Sequence, residues 1–190
     1  MAVALEAPNI DTDQIIPARF LLKPRDAGYA NLLFHDHRFT AEGIHRLDFP
    51  LDCEVGEPVR ILVANENFGC GSAREQAVYA LSDFGIRAVI APSFGEIFRL
   101  NCIRNGVVPA SVTCEIAAQL RALVNHRPVR LNVDLQTRQI VAEAFQTRFT
   151  IEESGIERLM SGRDEIDDTM VHEAAIAAYE AKREQILPLS

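Results

Sequence analysis

The stretch VRILVAN, residues 59–65, is a short β-branched apolar run that closes in turn-forming residues, the pattern of a buried strand. From Ser72 to Phe84 the apolar positions Ala73, Ala77, Ala80, Leu81 and Phe84 fall on one helical stripe, which Gly85 ends. RAVIAPS, residues 87–93, reads as a second strand, and Phe94 to Asn105 repeats the helical pattern up to Gly106. VVPASV, residues 107–112, gives a third strand. Strands joined by crossover helices pair in parallel, with right-handed connections in nearly all cases. The middle of the chain therefore predicts an α/β fold with a small parallel sheet core flanked by helices. A further helix is expected over Glu115 to Asn125. After Pro128, VRLNVDLQTRQIVAEAF alternates about a polar turn at Gln136 to Arg138 and predicts a β-hairpin added to that sheet. Ile151 to Met160 and Glu165 to Ile186 read as helices, the last with a polar, solvent-facing side. Residues 18–50 mix glycines and charges with apolar positions and predict a long irregular loop, a feature that often carries function in compact domains.

The length of 190 residues and a hydrophobic fraction of 48% fit one compact domain with extensions, since a domain near 150 residues already buries roughly two thirds of its unfolded surface. The net charge of −8, with no Lys/Arg cluster, argues against nucleic acid as a partner. The start, MAVALEAPNI, has no basic leader region, and no apolar run approaches the roughly 20 residues that span a bilayer. The expectation is a cytoplasmic protein without membrane contact. Cys53, Cys70, Cys102 and Cys114 lie far apart with no C-x-x-C pair, which suggests buried reduced thiols rather than a disulfide framework or a metal site. His35 and His37 form an H-x-H pair with no third ligand nearby in sequence.

The candidate chemistry concentrates in NFGCGSAREQAVYAL, residues 67–81. Ser72 and Glu75 have the spacing of a capping box, in which the serine oxygen accepts a first-turn N–H and the glutamate reaches back to the cap. Gly69 and Gly71 suit a tight turn. Arg74 does not follow from capping. A cation in the first turn opposes the helix macrodipole, which favours negative charge there by about 0.3–1 kcal/mol. A bound carboxylate compensates for it, because exposed N–H groups, glycines that permit close approach and a planar guanidinium all match an anion. The loop follows the 59–65 strand, at the carboxyl end where open α/β sheets bind ligands. It lacks the G-K-[ST] ending of a P-loop.

Three stretches in order, NIDTDQIIPARFL (9–21), NFGCGSAREQAVYAL (67–81) and FGIRAVIAPSFGEIFRLNCIRNGVVP (84–109), resemble the small-subunit family of 3-isopropylmalate dehydratases (isopropylmalate isomerases), which is related to the swivelling C-terminal domain of aconitase. The resemblance implies a single β/β/α swivel domain over residues 1–190, with 18–50 as a substrate-recognition loop region and a C-terminal helix over 165–190. It implies no metal in this chain and a large subunit that carries a [4Fe–4S] cluster, with a dicarboxylate substrate bound between the two. The implied activity is that of a hydro-lyase in leucine biosynthesis, moving a hydroxyl between adjacent carbons of 2-isopropylmalate by dehydration and rehydration.

By the same resemblance Ser72 corresponds to a catalytic base. Arg74 is the substrate-carboxylate clamp, Gly71 and Ala73 line the substrate beside it, and Asp13 belongs to the same site. Arg19, Lys23 and Arg25 fall in the loop that tunes the substrate pocket. Arg99 and Arg104, near the end of the second helix, suit the dipole and read as structural. A base role for Ser72 requires its capping bond to be weak or supplied by another group. The commonest family loop reads G-S-S-R-E-H, whereas Ala73 and Gln76 here remove one hydroxyl and one imidazole. That departure leaves open a related diacid or triacid of methylmalate, citramalate or homoaconitate type, and a non-catalytic anion-binding module stands as the alternative from another class.

Overall fold

Four short apolar runs lie edge to edge in the computed structural model, which describes residues 1–186 other than 26, 27, 47, 53–55, 126, 144 and 164. Strands β1 (Ala2–Ala4), β2 (Ile61–Val63), β3 (Ala88–Ala91) and β4 (Val108–Ser111) form a parallel sheet in that order. The short helices α1 (Thr12–Ile15) and α2 (His35–Arg38) lie in the long connection from β1 to β2. Every residue of β2 and β3 is buried, as a parallel sheet covered on both faces requires. Alternate side chains divide between two cores: Leu62 and Val89 enter one, Ile61, Val63, Ala88 and Ile90 the other. Full burial of each Val, Leu or Ile contributes about 1.5–3 kcal/mol.

Helices α3 (Glu75–Phe84) and α4 (Glu96–Arg104) join β2 to β3 and β3 to β4. Both crossovers step the same way along the sheet, so the right-handed rule puts both helices on one face. Ala77, Val78, Leu81, Phe98 and Cys102 accordingly share the core of Leu62 and Val89. Helix α5 (Cys114–Asn125) covers the opposite face, where Leu120 and Val124 join Ile140, Ala142 and Phe149. The expected hairpin is larger and differently placed: β5 (Asn132–Asp134), β6 (Gln139–Ala142) and β7 (Phe145–Arg148) make a separate three-stranded antiparallel sheet. Single bridges, Ala2 to Val129 and Ser111 to Thr150, connect its flanks to the parallel sheet. The layers are helices, parallel sheet, then second sheet with α5, in agreement with a β/β/α domain.

Three further expectations are corrected. The parallel sheet has a fourth strand, because three residues of β1 are too few to show a period yet pair with β2 from Ala2–Ile61 to Ala4–Val63. Among the described residues of 18–50, 3₁₀ turns at Ala18–Phe20 and Tyr29–Leu32 and then α2 break up what the pattern reads as one long irregular loop. Tyr29, Leu32, Leu33 and Phe34 are buried in the α3 core. Arg38 fastens the segment: its Nε and Nη2 donate to Asp52 at 3.0 and 2.7 Å, and its Nη1 to the Leu33 carbonyl at 3.2 Å. Finally, the helix expected over 165–186 is two, α6 (Glu153–Ser161) being followed by α7 (Glu165–Met170) and α8 (Glu173–Ile186). Residues 187–190 of the expected C-terminal helix lie outside the described residues. Among the described residues, no helix is long and apolar enough to cross a membrane.

Candidate active site

The loop after β2 is held by backbone bonds to two other segments. Gly69 N–H donates to the Ile10 carbonyl at 2.7 Å and Thr12 N–H to the Cys70 carbonyl at 3.0 Å, drawing the segment after β1 against the loop. On the other side Phe68 N–H donates to the Ser93 carbonyl at 3.0 Å and Gly95 N–H to the Phe68 carbonyl at 2.9 Å. The three signature stretches thus interlock beyond the carboxyl ends of β1, β2 and β3. Gly69 is required for space and conformation, since its φ is +72° and an added Cβ would lie 2.2 Å from the Phe98 ring. Asn67, at φ +57°, takes the left-handed conformation that asparagine tolerates. Its N–H donates to Ser93 Oγ and its Nδ2 to Asn9 Oδ1, each at 2.8 Å.

The capping box predicted for Ser72 and Glu75 does not form. Helix α3 begins at Glu75, with Arg74 in the N-cap position and no side-chain cap bond. Glu75 instead accepts from Asn105 Nδ2 at 2.9 Å, a tertiary contact that takes the carboxylate away from the helix terminus. Ser72 is left in the loop and exposed, and among the described residues its hydroxyl makes no hydrogen bond. Its carbonyl accepts from Thr12 Oγ1 at 2.9 Å. The competition between capping and chemistry for the serine oxygen is therefore removed.

Arg74 and Asp13, 61 residues apart in sequence, are brought together as an ion pair through Nη1 and Oδ1. Asp13 Oδ1 also accepts from Ala18 N–H at 3.2 Å. Asp11 caps α1 by accepting from Gln14 N–H at 2.8 Å, which fixes the turn that presents Asp13. The Arg74 side chain is 16% exposed and that of Asp13 51%. The hydrogen bond from Arg74 is the main cause that holds the Asp13 carboxyl below its ordinary range, so Asp13 is an anion at neutral pH. The remaining nitrogens of Arg74 and the N–H groups of Gly71, Ser72, Ala73 and Arg74 donate to no partner among the described residues. A guanidinium edge, four backbone donors and one unbonded hydroxyl on a single loop are suited to a carboxylate ligand.

The other predicted residues separate into neighbours and outsiders. Arg19 pairs with Asp36, its Nη1 donating to Oδ2 at 2.8 Å, and with Lys23 it lies over the Phe20 ring. Arg25 binds Asp83 at 3.0 Å and stacks on Tyr79, which puts it at the far end of α3, about 13 Å along the helix from Arg74. Arg99 pairs with Glu152 at 2.9 Å. Arg104 lines a cleft of about 460 Å³ between α4 and α6 that includes none of Asp13, Ser72 and Arg74. His35 packs against Phe20 and Phe39, whereas His37 packs against Phe34 and Phe49. Cys102 is buried, and burial pushes its thiol up, while Cys70 is half-buried. Cys114 is exposed, contrary to the expectation of burial. Cys53 lies outside the described residues. Among the described residues no three His, Cys, Asp or Glu side chains gather to hold a metal ion.

The aconitase C-terminal domain family model matches residues 1–115. The 3-isopropylmalate dehydratase small subunit of Anoxybacillus flavithermus is 43% identical over 180 residues, 94% of this chain and 93% of the relative. The chain belongs to the 3-isopropylmalate dehydratase small-subunit family. A second member of that family, from Shewanella amazonensis, is 42% identical over 96% of this chain and 92% of its own length. The crystal structure of a 3-isopropylmalate dehydratase chain from Methanocaldococcus jannaschii superposes with a TM-score of 0.67 at 28% identity, covering 94% of this chain and 96% of that one. Sequence reasoning missed Thr12, Asn9 and Asn67 as parts of the loop cluster. The two asparagines carried a weak signal, since each precedes a turn, but nothing local marks Thr12 as a partner of a loop 60 residues away.

Proposed function

We propose that this chain is the small subunit of a 3-isopropylmalate dehydratase, inactive alone and active when docked on a large iron–sulfur subunit in the cytoplasm. There it would isomerise 2-isopropylmalate to 3-isopropylmalate in leucine biosynthesis. The observation that carries this reading is an exposed, unbonded Ser72 hydroxyl beside an Arg74 held by Asp13, in a chain similar to named small subunits along nearly its whole length.

The reaction needs a proton removed next to a carboxylate and charge stabilised as it develops. Ser72 removes the proton. Serine is a weak base in water, and the free N–H groups of its loop together with Arg74 favour its anion. Arg74 binds a substrate carboxylate through the edge that Asp13 leaves open, and the Gly71 and Ala73 N–H groups complete the cradle. Ala73 supplies its N–H without a side-chain hydroxyl. An iron site on the large subunit would supply the Lewis acid for the departing hydroxyl. Arg19 and Lys23, around Phe20, lie closest in sequence to the Asp13 turn and border the substrate side chain.

The test is turnover of the chain co-expressed with a large subunit. Ser72→Ala is expected to lower kcat by about 10²–10⁴-fold, the usual contribution of a general base. With no capping bond to lose, its stability should stay within about 0.5 kcal/mol of the wild type. Activity of the isolated chain, or an assembled Ser72→Ala enzyme as fast as the wild type, rejects the reading. Equal efficiency on citramalate or homoaconitate rejects the substrate.

A further inference from the structure

We propose that Thr12 is a positioning residue for the Ser72 hydroxyl, an inference that rests on Ser72 being the base. Residues 71–74 belong to no helix or strand, and α3 begins only at Glu75. Their N–H groups donate to nothing among the described residues, so the carbonyl side must hold the loop. One residue does so twice. Thr12 N–H donates to the Cys70 carbonyl at 3.0 Å and Thr12 Oγ1 donates to the Ser72 carbonyl at 2.9 Å. These two carbonyls flank Gly71, whose φ of +87° lies where glycine has wide freedom. Thr12 therefore spans the loosest point of the loop and fixes the peptide plane before Gly71 and the one after Ser72, so that the serine Cα lies between two held planes.

Thr12 is itself well held. It is 1% exposed, its carbonyl accepts from Ile16 N–H at 2.9 Å, and its β-branch restricts χ1. The next residue, Asp13, holds the guanidinium of Arg74. The four residues of α1 thus set the serine through one side chain and the arginine through its neighbour. Loss of the Thr12 hydroxyl frees the Ser72 carbonyl to rotate and carries the serine oxygen away from its working position, while the Arg74 clamp stays in place.

The experiment uses the assembled two-subunit enzyme. Thr12→Val, which keeps the shape and removes the hydroxyl, should lower kcat by about 10–100-fold, as expected when a reacting group is displaced by about 1 Å, with KM changed by less than about threefold. Thr12→Ser should restore kcat to within about threefold of the wild type. The Ser72 carbonyl-carbon NMR signal should shift in Thr12→Val, which removes its hydrogen-bond donor, and return to its wild-type position in Thr12→Ser. A Thr12→Val enzyme with wild-type kcat, or a folded Thr12→Ser enzyme as slow as Thr12→Val, overturns the proposal. If Thr12→Val does not assemble, Thr12→Ala is read in the same way, and failure of both to assemble makes Thr12 a structural residue and overturns it as well. The two readings fail separately. An active Ser72→Ala removes the base assignment whatever Thr12 does, whereas an inactive Ser72→Ala beside a fully active Thr12→Val removes only the positioning role.

Discussion

Asp13 and Arg74 form an ion pair that, under the proposed function, prepares the cation for an anionic ligand without neutralising its use. Asp13 takes one nitrogen of the guanidinium, and the remaining nitrogens are those that the proposed function assigns to a bidentate carboxylate, a geometry that lysine cannot reproduce. The pair is half exposed on the Asp13 side, so it adds little to stability and its value is orientation. Its signature is a titration. The folded carboxyl titrates below the unfolded value of about 3.9, so the pair contributes fully above that pH and is lost only as pH falls through the lower, folded value. A carboxyl-carbon titration followed by NMR should place the Asp13 midpoint below 3.9, and Arg74→Ala should move it back towards the ordinary value. An unchanged midpoint in Arg74→Ala would show that the pair does not form in solution.

At the level of elements, the site depends on how closely the loop after β2 approaches the start of α4. Gly95 has φ −57° and ψ 132°, a conformation open to any residue, yet an added Cβ would lie 2.4 Å from the Gly69 carbonyl oxygen. Gly95→Ala is therefore costly for steric reasons alone, by about 2–4 kcal/mol on the scale of overpacked sites. Gly106→Ala, at φ +71° with open space around it, should cost only the left-handed penalty of about 1–2 kcal/mol. Chemical denaturation of the two variants checks the order, and a cheaper Gly95→Ala would contradict the close approach. The longer elements were legible because α3, α4 and α5 each run nine residues or more with a helical stripe, and β2 and β3 are apolar throughout. The four-residue helices α1 and α2 show no period, and β1, with two alanines in three residues, lacks the β-branched run that marks β2 and β3, so these three were missed. The S-x-x-E pattern misled for a tertiary reason: Asn105 captures Glu75 and Thr12 captures the Ser72 carbonyl, so the helix starts two residues later than the local signal says.

For the whole molecule, what local pattern could not reveal is the interlock of three distant segments, because the bonds that make it, Ile10 to Gly69, Thr12 to Cys70 and Phe68 to Ser93, join residues whose spacing no period records. The resemblance in order along the chain picked out the same three segments, and the structure brings them together. The same view separates the site from the C-terminal helices. Residues 166–183 are exposed throughout, including Ile166, Val171 and Tyr179 at 64–71% exposure. Their links to the body include Asp168 with Arg158 at 3.8 Å and with Arg163 at 3.3 Å, and the Asp168 side chain is 46% exposed. Exposed ion pairs contribute about 0–1 kcal/mol each. For a domain of this size 1 kcal/mol moves Tm by about 2–4 °C. Removal of residues 165–190 should therefore lower the Tm of the isolated chain by less than about 5 °C and leave the Asp13 titration unchanged, since the Asp13–Arg74 pair is built from residues before 75. Calorimetry of the shortened chain checks this, and a fall of more than about 10 °C would mean that α7 and α8 help to carry the core rather than lie outside it.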